Sequence, residues 1–270
     1  MALGYQRFLS AVTLIGALTA TSLAQAAECS STGGAYEVWK AATLREAAAQ
    51  GVGKRGLQAL ADSTYSTRTI AADRNQKSFK YSLPKFLQVR GADTIVAQGR
   101  KRKARDAAFY DALEQTYGVP AGVIIAIHGM ETAFGGFMGD TNIVSAISTL
   151  AYDCRRSAFF TPHMMAALVL VDNGSITAQS VGAKHGEIGH TQFLPANALA
   201  YGVDGNGDGQ VDLFNQADAL ASTANFLVQK GWRPGAGYQE GEPNFAVIKA
   251  WNAATVYQQA IALMGARIDG

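Results

Sequence analysis

Glu131 closes a run, Val123-Ile124-Ile125-Ala126-Ile127-His128-Gly129-Met130, that is apolar on nearly every side. A helix without a polar face is buried all round, so a carboxyl at its end enters dry surroundings. Desolvation disfavours the charged form and raises the pKa. The partial negative charge of a helix C-terminus acts in the same direction. A carboxyl kept protonated near neutral pH suits a general acid. On position alone, a helix-end glutamate paired with Arg155 or Arg156, or simply solvated, stays open as a reading.

A second group of oxygens stands at Asp204-Gly205-Asn206-Gly207-Asp208-Gly209, which reads D-x-N-x-D-G. This is the opening of an EF-hand calcium loop, with glycine at the sharp turn. Asn215 occupies the twelfth position, where a bidentate Glu belongs, and Asp218 follows three residues later. The alternative is a surface turn rich in Asp, Asn and Gly. Zinc chemistry is not indicated: His128, His163, His185 and His190 lack the H-E-x-x-H spacing, and neither cysteine has a C-x-x-C partner. There is no phosphate-binding loop of the G-x-x-x-x-G-K type.

These residues need elements to position them. Pro120 suits the first turn of the helix that carries Glu131, and Gly135-Gly136 ends it. Helical periodicity predicts further helices over 36–51, 95–117, 143–152, 157–171, 218–230 and 245–264. The charge run Arg100-Lys101-Arg102-Lys103 reads as a solvated face. Strands are few, with a small sheet expected around 201–214. The fold class is mainly α (α+β). The chain divides into a helical N-terminal part, 27–117, and a core, 118–270, that holds the loop 204–218.

With 270 residues, 48% of them apolar and 16% charged, the chain can bury a large core and is not a disordered one. Its net charge of +2 gives no footprint for nucleic acid. Arg7, the apolar stretch from Phe8 to Ala20, and Ala24-Gln25-Ala26 make residues 1–26 a secretory signal peptide, too short to span a membrane. No later stretch is long enough either, so the mature chain is expected to be soluble, exported and periplasmic. Glu28 before Cys29 argues against a lipid anchor. Cys29 and Cys154 are the only cysteines; in an oxidising compartment they suggest one disulfide, the alternative being two buried thiols.

The motifs around Glu131 resemble those of the lytic murein transglycosylases of the B type. Gly129-Met130-Glu131-Thr132-Ala133-Phe134-Gly135 looks like their G-x-E-T-x-F-G signature, led in by Tyr117-Gly118-Val119-Pro120. Asp73-Arg74-Asn75-Gln76 with Phe79 resembles an earlier element. Ala151-Tyr152-Asp153-Cys154-Arg155-Arg156 with Phe159-Phe160 resembles the next block, and Gly186-Glu187-Ile188-Gly189-His190-Thr191-Gln192-Phe193-Leu194-Pro195 a later one. The resemblance runs in order from Asp73 to about Met264. It implies a lysozyme-like helical core and cleavage of peptidoglycan glycan strands between N-acetylmuramic acid and N-acetylglucosamine. Glu131 would protonate the glycosidic oxygen, then act as base on the muramoyl 6-hydroxyl to close a 1,6-anhydro ring. A typical glycosidase needs two carboxylates; no second one stands in the same motif.

The resemblance also implies substrate contacts by Gln192, Asn252, Trp251 and Phe226. It implies a structural calcium ion held by Asp204, Asn206, Asp208, the Gln210 carbonyl and Asp218. Four positions depart from the pattern: Trp251 and Phe226 stand where tyrosines occur, Ala183 for a serine, and Glu187 for a small residue. The aromatic changes keep a face for sugar stacking but lose a hydroxyl. Glu187 reads as solvated decoration, or as a carboxylate that raises the pKa of Glu131 or positions a water. The alternatives to a lyase are a hydrolytic muramidase, with Glu187 or Asp140 aiding a water, and a peptidoglycan-binding protein without turnover.

Overall fold

The structure, a computed structural model, describes residues 28–75 and 80–270. The expected signal peptide and residues 76–79 lie outside them. In chain order the helices are α1 (Tyr36–Ala49), α2 (Lys54–Ala61), α3 (Thr67–Arg74), α4 (Leu83–Arg90), α5 (Ala92–Arg105), α6 (Ala107–Tyr117) and α7 (Ala121–Thr132). They continue with α8 (Ile143–Tyr152), α9 (Ser157–Asn173), α10 (Pro195–Tyr201), α11 (Gln216–Gln229), α12 (Phe245–Trp251) and α13 (Thr255–Asp269). Strands β1 (Thr141–Asn142) and β2 (Val181–Gly182) pair antiparallel, Thr141 opposite Gly182. Among the described residues no helix is long and apolar enough to cross a membrane.

The core is built around α7, where every residue except Glu131 is buried. Burying each of Ile124, Ile125 and Ile127 contributes about 1.5–3 kcal/mol, and Ile125→Ala would cost about 2–5 kcal/mol. α13 crosses α7 closely enough that a Cβ on Gly122 would lie 2.3 Å from the Gly265 carbonyl oxygen; only glycine permits that approach. Asp269 Oδ1 accepts from the Gly122 amide at 2.9 Å and from Lys103 at 2.6 Å. Arg100 Nε donates to the Arg267 carbonyl at 2.7 Å. The basic run is therefore not only a solvated face: two of its members fasten the end of α13, where a helix dipole favours cations.

Cys29 is bonded to Cys154, closing 125 residues of sequence. In the chain-entropy description a loop near that length stabilises by about 4.7 kcal/mol. Backbone bonds Ser30 N to Tyr152 O and Cys154 N to Ser30 O flank the bridge.

Three expectations need correction. The stretch 95–117 is two helices, because Asp106 leaves helical geometry (φ −110°, ψ 34°) and serves as the junction of α5 and α6. The stretch 245–264 is also two. Asn252 turns extended (φ −144°, ψ 123°), and its Oδ1 accepts from the Ala254 amide at 3.0 Å. That local bond competes with helix continuation, so Asn252 stands in a break between α12 and α13. The sheet lies at β1 and β2 rather than around 201–214, where the amides bond to Asp carboxylates instead of a neighbouring strand.

Candidate active site

Glu131 occupies the last turn of α7. The helix is stopped by three consecutive left-handed residues, Ala133, Phe134 and Gly135 (φ 50°, 63° and 80°). The turn is held from outside. Thr132 Oγ1 donates to the His190 carbonyl at 2.7 Å and accepts from the Gly135 amide at 2.9 Å. A Cβ on Gly135 would lie 2.3 Å from the His190 ring, so glycine is needed for space as well as for φ. The His190 Nδ1 and His128 Nε2 atoms are 3.0 Å apart. Burial, with repulsion from His190 and Arg102, pushes His128 down to about 3, and burial also lowers His190. Two neutral imidazoles thus lock the end of α7 to the loop after β2.

The Glu131 residue opens partly into a cleft, while its carboxyl is hemmed in by protein. Oε1 accepts from the Tyr257 hydroxyl at 2.5 Å and from the Trp251 indole N–H at 3.1 Å. Burial raises the Glu131 pKa; the bonds from Tyr257 and Trp251 and the charge of Arg90 oppose this, and Glu187 adds to it. With both donors on Oε1, the proton of the acid form belongs on Oε2. Burial and the neighbouring Glu131 raise Tyr257 well above the ordinary phenol range, so its hydroxyl stays a donor.

The cleft has two lobes. One, about 230 Å³, is lined by Glu131, Glu187, Gln192, Asn197, Trp251 and Asn252, with Phe193, Leu194 and Phe226. The other, about 470 Å³, shares Glu131, Glu187, Trp251 and Asn252 and adds Arg90, Arg156, His185 and Tyr257 among others. Gln192, left-handed at φ 57°, is placed by the Ile188–Phe193 bridge. Its Nε2 donates to the Gly189 and Met138 carbonyls at 2.8 and 3.3 Å. Its donors are taken, so it offers the cleft an acceptor, not the donor-and-acceptor pair expected. Asn252 lines both lobes, and its Oδ1 is engaged by the Ala254 amide, so its side chain keeps its N–H donors.

Several sequence readings change here. Trp251 keeps a donor in place of the lost hydroxyl, through its indole N–H. Phe226 is only 2% exposed and meets Trp251 edge-on, with planes at 90°, so it supports the indole rather than offering a stacking face. Glu187 is not solvated decoration: Oε2 accepts from the His185 amide at 3.0 Å, and Oε1 lies 3.2 Å from His185 Nδ1. Arg155 and Arg156 do not pair with Glu131. Arg155 is ion-paired with the buried Asp73, and Arg156 stands 3.7 Å from it. Asp140 is paired on the surface with Arg68 at 2.9 Å. Tyr257 is the residue that sequence reasoning missed. Its one signal was a phenol on the otherwise apolar face of α13, beside Ala260, Ile261 and Met264.

The oxygens expected to hold calcium accept from the loop's own amides. Among the described residues no three Asp, Glu, His or Cys side chains stand close enough to hold a metal ion. Asp204 accepts from the amides of Gly207, Asp208 and Gly209, which hold its carboxyl below the usual range, Gly209 foremost. Asp208 accepts from the Gln210 amide and from Asn206 Nδ2. Asp218, fully buried, accepts from the amides of Gly205, Asn206 and Asp212.

A buried acid on a stopped helix, facing a polar two-lobed cleft, invites comparison with known proteins. Residues 35–242 match the family described as Transglycosylase SLT domain. The chain belongs to that family. It is 36% identical over 132 residues to membrane-bound lytic murein transglycosylase B of Escherichia coli (strain K12). That match covers 47% of this chain and 37% of the relative, well under half the relative's length. Among solved structures it is similar to SltB3 from Pseudomonas aeruginosa in complex with NAG-NAM-pentapeptide (TM-score 0.81, 27% identity, 88% of this chain and 80% of that one). The likeness to Escherichia coli lytic transglycosylase Slt35 in complex with calcium is one of fold (TM-score 0.74, 21% identity, 85% and 92% covered).

Proposed function

We propose that this Transglycosylase SLT domain protein is a lytic transglycosylase that cleaves the MurNAc–GlcNAc β-1,4 bond of peptidoglycan and leaves 1,6-anhydro-MurNAc ends. The observation that carries the reading is Glu131: a buried carboxyl whose Oε1 takes two donors, leaving Oε2 to hold a proton at the junction of two cleft lobes. That proton passes to the glycosidic oxygen as the C1–O bond breaks. The Glu131 carboxylate then takes the proton of the muramoyl 6-hydroxyl while that oxygen bonds C1. The proton returns and no water is consumed, so one carboxyl serves both steps. Gln192 and Asn252 present an acceptor and a donor suited to an acetamido group. Support also comes from SltB3, which has been solved with NAG-anhNAM-pentapeptide.

A second carboxylate in the cleft, Glu187, favours a hydrolytic muramidase as the competing reading. Digestion of sacculi followed by mass spectrometry separates them. Anhydro ends support the lyase, reducing ends the hydrolase, and no fragments a glycan-binding protein. The signal peptide supports export to the periplasm. For the loop 204–218 the residue spacing, together with the calcium-bound fold relative, supports a structural calcium ion taken up by Asp204, Asn206, Asp208, the Gln210 carbonyl and Asp218. Each carboxylate has about four acceptor sites, so oxygens that accept from the loop amides can also take the ion.

A further inference from the structure

We propose that His128 and His190 are positioning residues of the reaction: their imidazole pair is a strut that holds the Glu131 acid in register with the segment carrying Gln192. The proposal rests on the reading of Glu131 as the acid.

His128 lies one turn before Thr132 on α7 and is fully buried. Its Nε2 stands 3.0 Å from His190 Nδ1, with the ring planes at 72°. His190 is in turn held from three directions. Its carbonyl accepts from Thr132, the neighbour of Glu131, at 2.7 Å. Its amide donates to the Leu213 carbonyl at 3.0 Å, and its ring bonds the Phe214 backbone. Further along the same segment, Thr191 is fully buried and accepts from Thr223 Oγ1 at 3.0 Å, and Gln192 lines the cleft. The left-handed residues from Ala133 to Gly135 end the helix directly after Thr132. The turn that carries Glu131 therefore takes its position from these outside bonds.

The partners fix where the ring protons sit. His128 occupies His190 Nδ1, so the Phe214 carbonyl takes the Nε2–H, and Nδ1 of the neutral ring is a bare acceptor. His128 donates to it through Nε2. The other nitrogen of His128, Nδ1, keeps a lone pair that is buried and has no hydrogen-bond partner among the described residues. A further proton has no place. On His190 Nδ1 it would meet the His128 N–H, and on His128 Nδ1 it would be a buried charge without an acceptor. Burial disfavours charge on both rings, and Arg102 from α5 adds repulsion. The Phe214 backbone and Asp212, from the loop before α11, pull His190 the other way and do not outweigh burial. The strut stands while both rings are neutral and gives way only below the ordinary imidazole value of 6.5.

The test is kcat and KM against pH for fragment release from sacculi, with melting temperature as the fold control. His128→Leu removes the strut. His128→Gln offers an amide that donates or accepts by turning over and does not titrate. Leucine should lower kcat about three- to tenfold at neutral pH, as for one lost hydrogen bond, and leave KM within about twofold. Glutamine should rescue what leucine loses and carry activity to lower pH than wild type, whose acid limb lies below 6.5. An acid limb that glutamine leaves unmoved, a leucine kcat equal to wild type, or a leucine loss confined to KM overturns the proposal. Nitrogen-15 spectra of the wild-type imidazoles test it without a substitution. At pH 7 both rings should be Nε2–H tautomers, and a proton on His190 Nδ1 overturns it. Failure of the Glu131 reading is recognisable separately, because Glu131→Gln would then still cut.

Discussion

Tyr257→Phe removes one atom from the site and leaves the ring in its packing, edge-on to Phe86. The lost hydroxyl is one of two donors to Glu131 Oε1, the other being the Trp251 indole N–H. Oε1 therefore stays partnered, and the fold should survive the change. A hydrogen bond to a charged group contributes about 1.5–3 kcal/mol. The Tyr257 bond favours the ionised acid, so its contribution is felt as Glu131 gives up its proton. Losing it should slow kcat by about ten- to hundredfold and leave KM nearly as it was. The sign on pH is set by the same bond: without it the Glu131 pKa rises further, so the alkaline limb of the rate profile should move to higher pH. The assay is anhydro-product release against pH, with melting temperature as the fold control. A kcat within twofold of wild type, with an unmoved limb, would refute the argument that Tyr257 stabilises the carboxylate.

Glu131→Gln should abolish cleavage, by more than about 10²-fold for a positioned general acid, while glycan still binds in a pull-down with sacculi. The same variant should gain stability relative to wild type as pH rises. A folded pKa above the ordinary carboxyl value, 4.5, costs the wild type stability between that value and the folded one. Equal melting temperatures at pH 4 and at pH 7 would contradict the direction of that shift. Calcium at 100 times its Kd should stabilise by about 2.7 kcal/mol, seen as a rise in melting temperature that EDTA reverses and Asp208→Ala abolishes; an unchanged melting temperature removes calcium from the loop.

Much of this site was legible before any coordinates. Glu131, Gln192, Trp251 and Asn252 line one cavity, and α8 begins and ends at Ile143 and Tyr152 as its periodicity predicts. What the residues hid depends on contacts distant in sequence. Trp251 and Tyr257 reach Glu131 across 120 and 126 positions, and no local pattern marks a donor aimed at a remote carboxyl. The break at Asn252 escaped because its flanks continue an apolar period, and a single side-chain bond to Ala254 outweighed that. Glu187 looked exposed because its glycine-rich neighbourhood suggests a surface loop. Its partner His185 and the buried Asp73 behind it come together only in the fold. The calcium reading followed spacing, and spacing does not display the bonds those oxygens also accept from the loop amides.

The dry helix α7 has a use of its own as an internal gauge. Its amides from Ile124 to Ile127 are sealed on every side, and α13 packs directly against it at the Gly122 crossing. Their exchange with deuterium can proceed only through opening of the whole core, so its rate reports the global unfolding free energy. The carboxylate-bound amides at 207–210 lie on the surface and exchange by local opening. A single exchange experiment therefore reads both scales at once, and a ligand that tightens only the loop leaves the slow class of protons untouched.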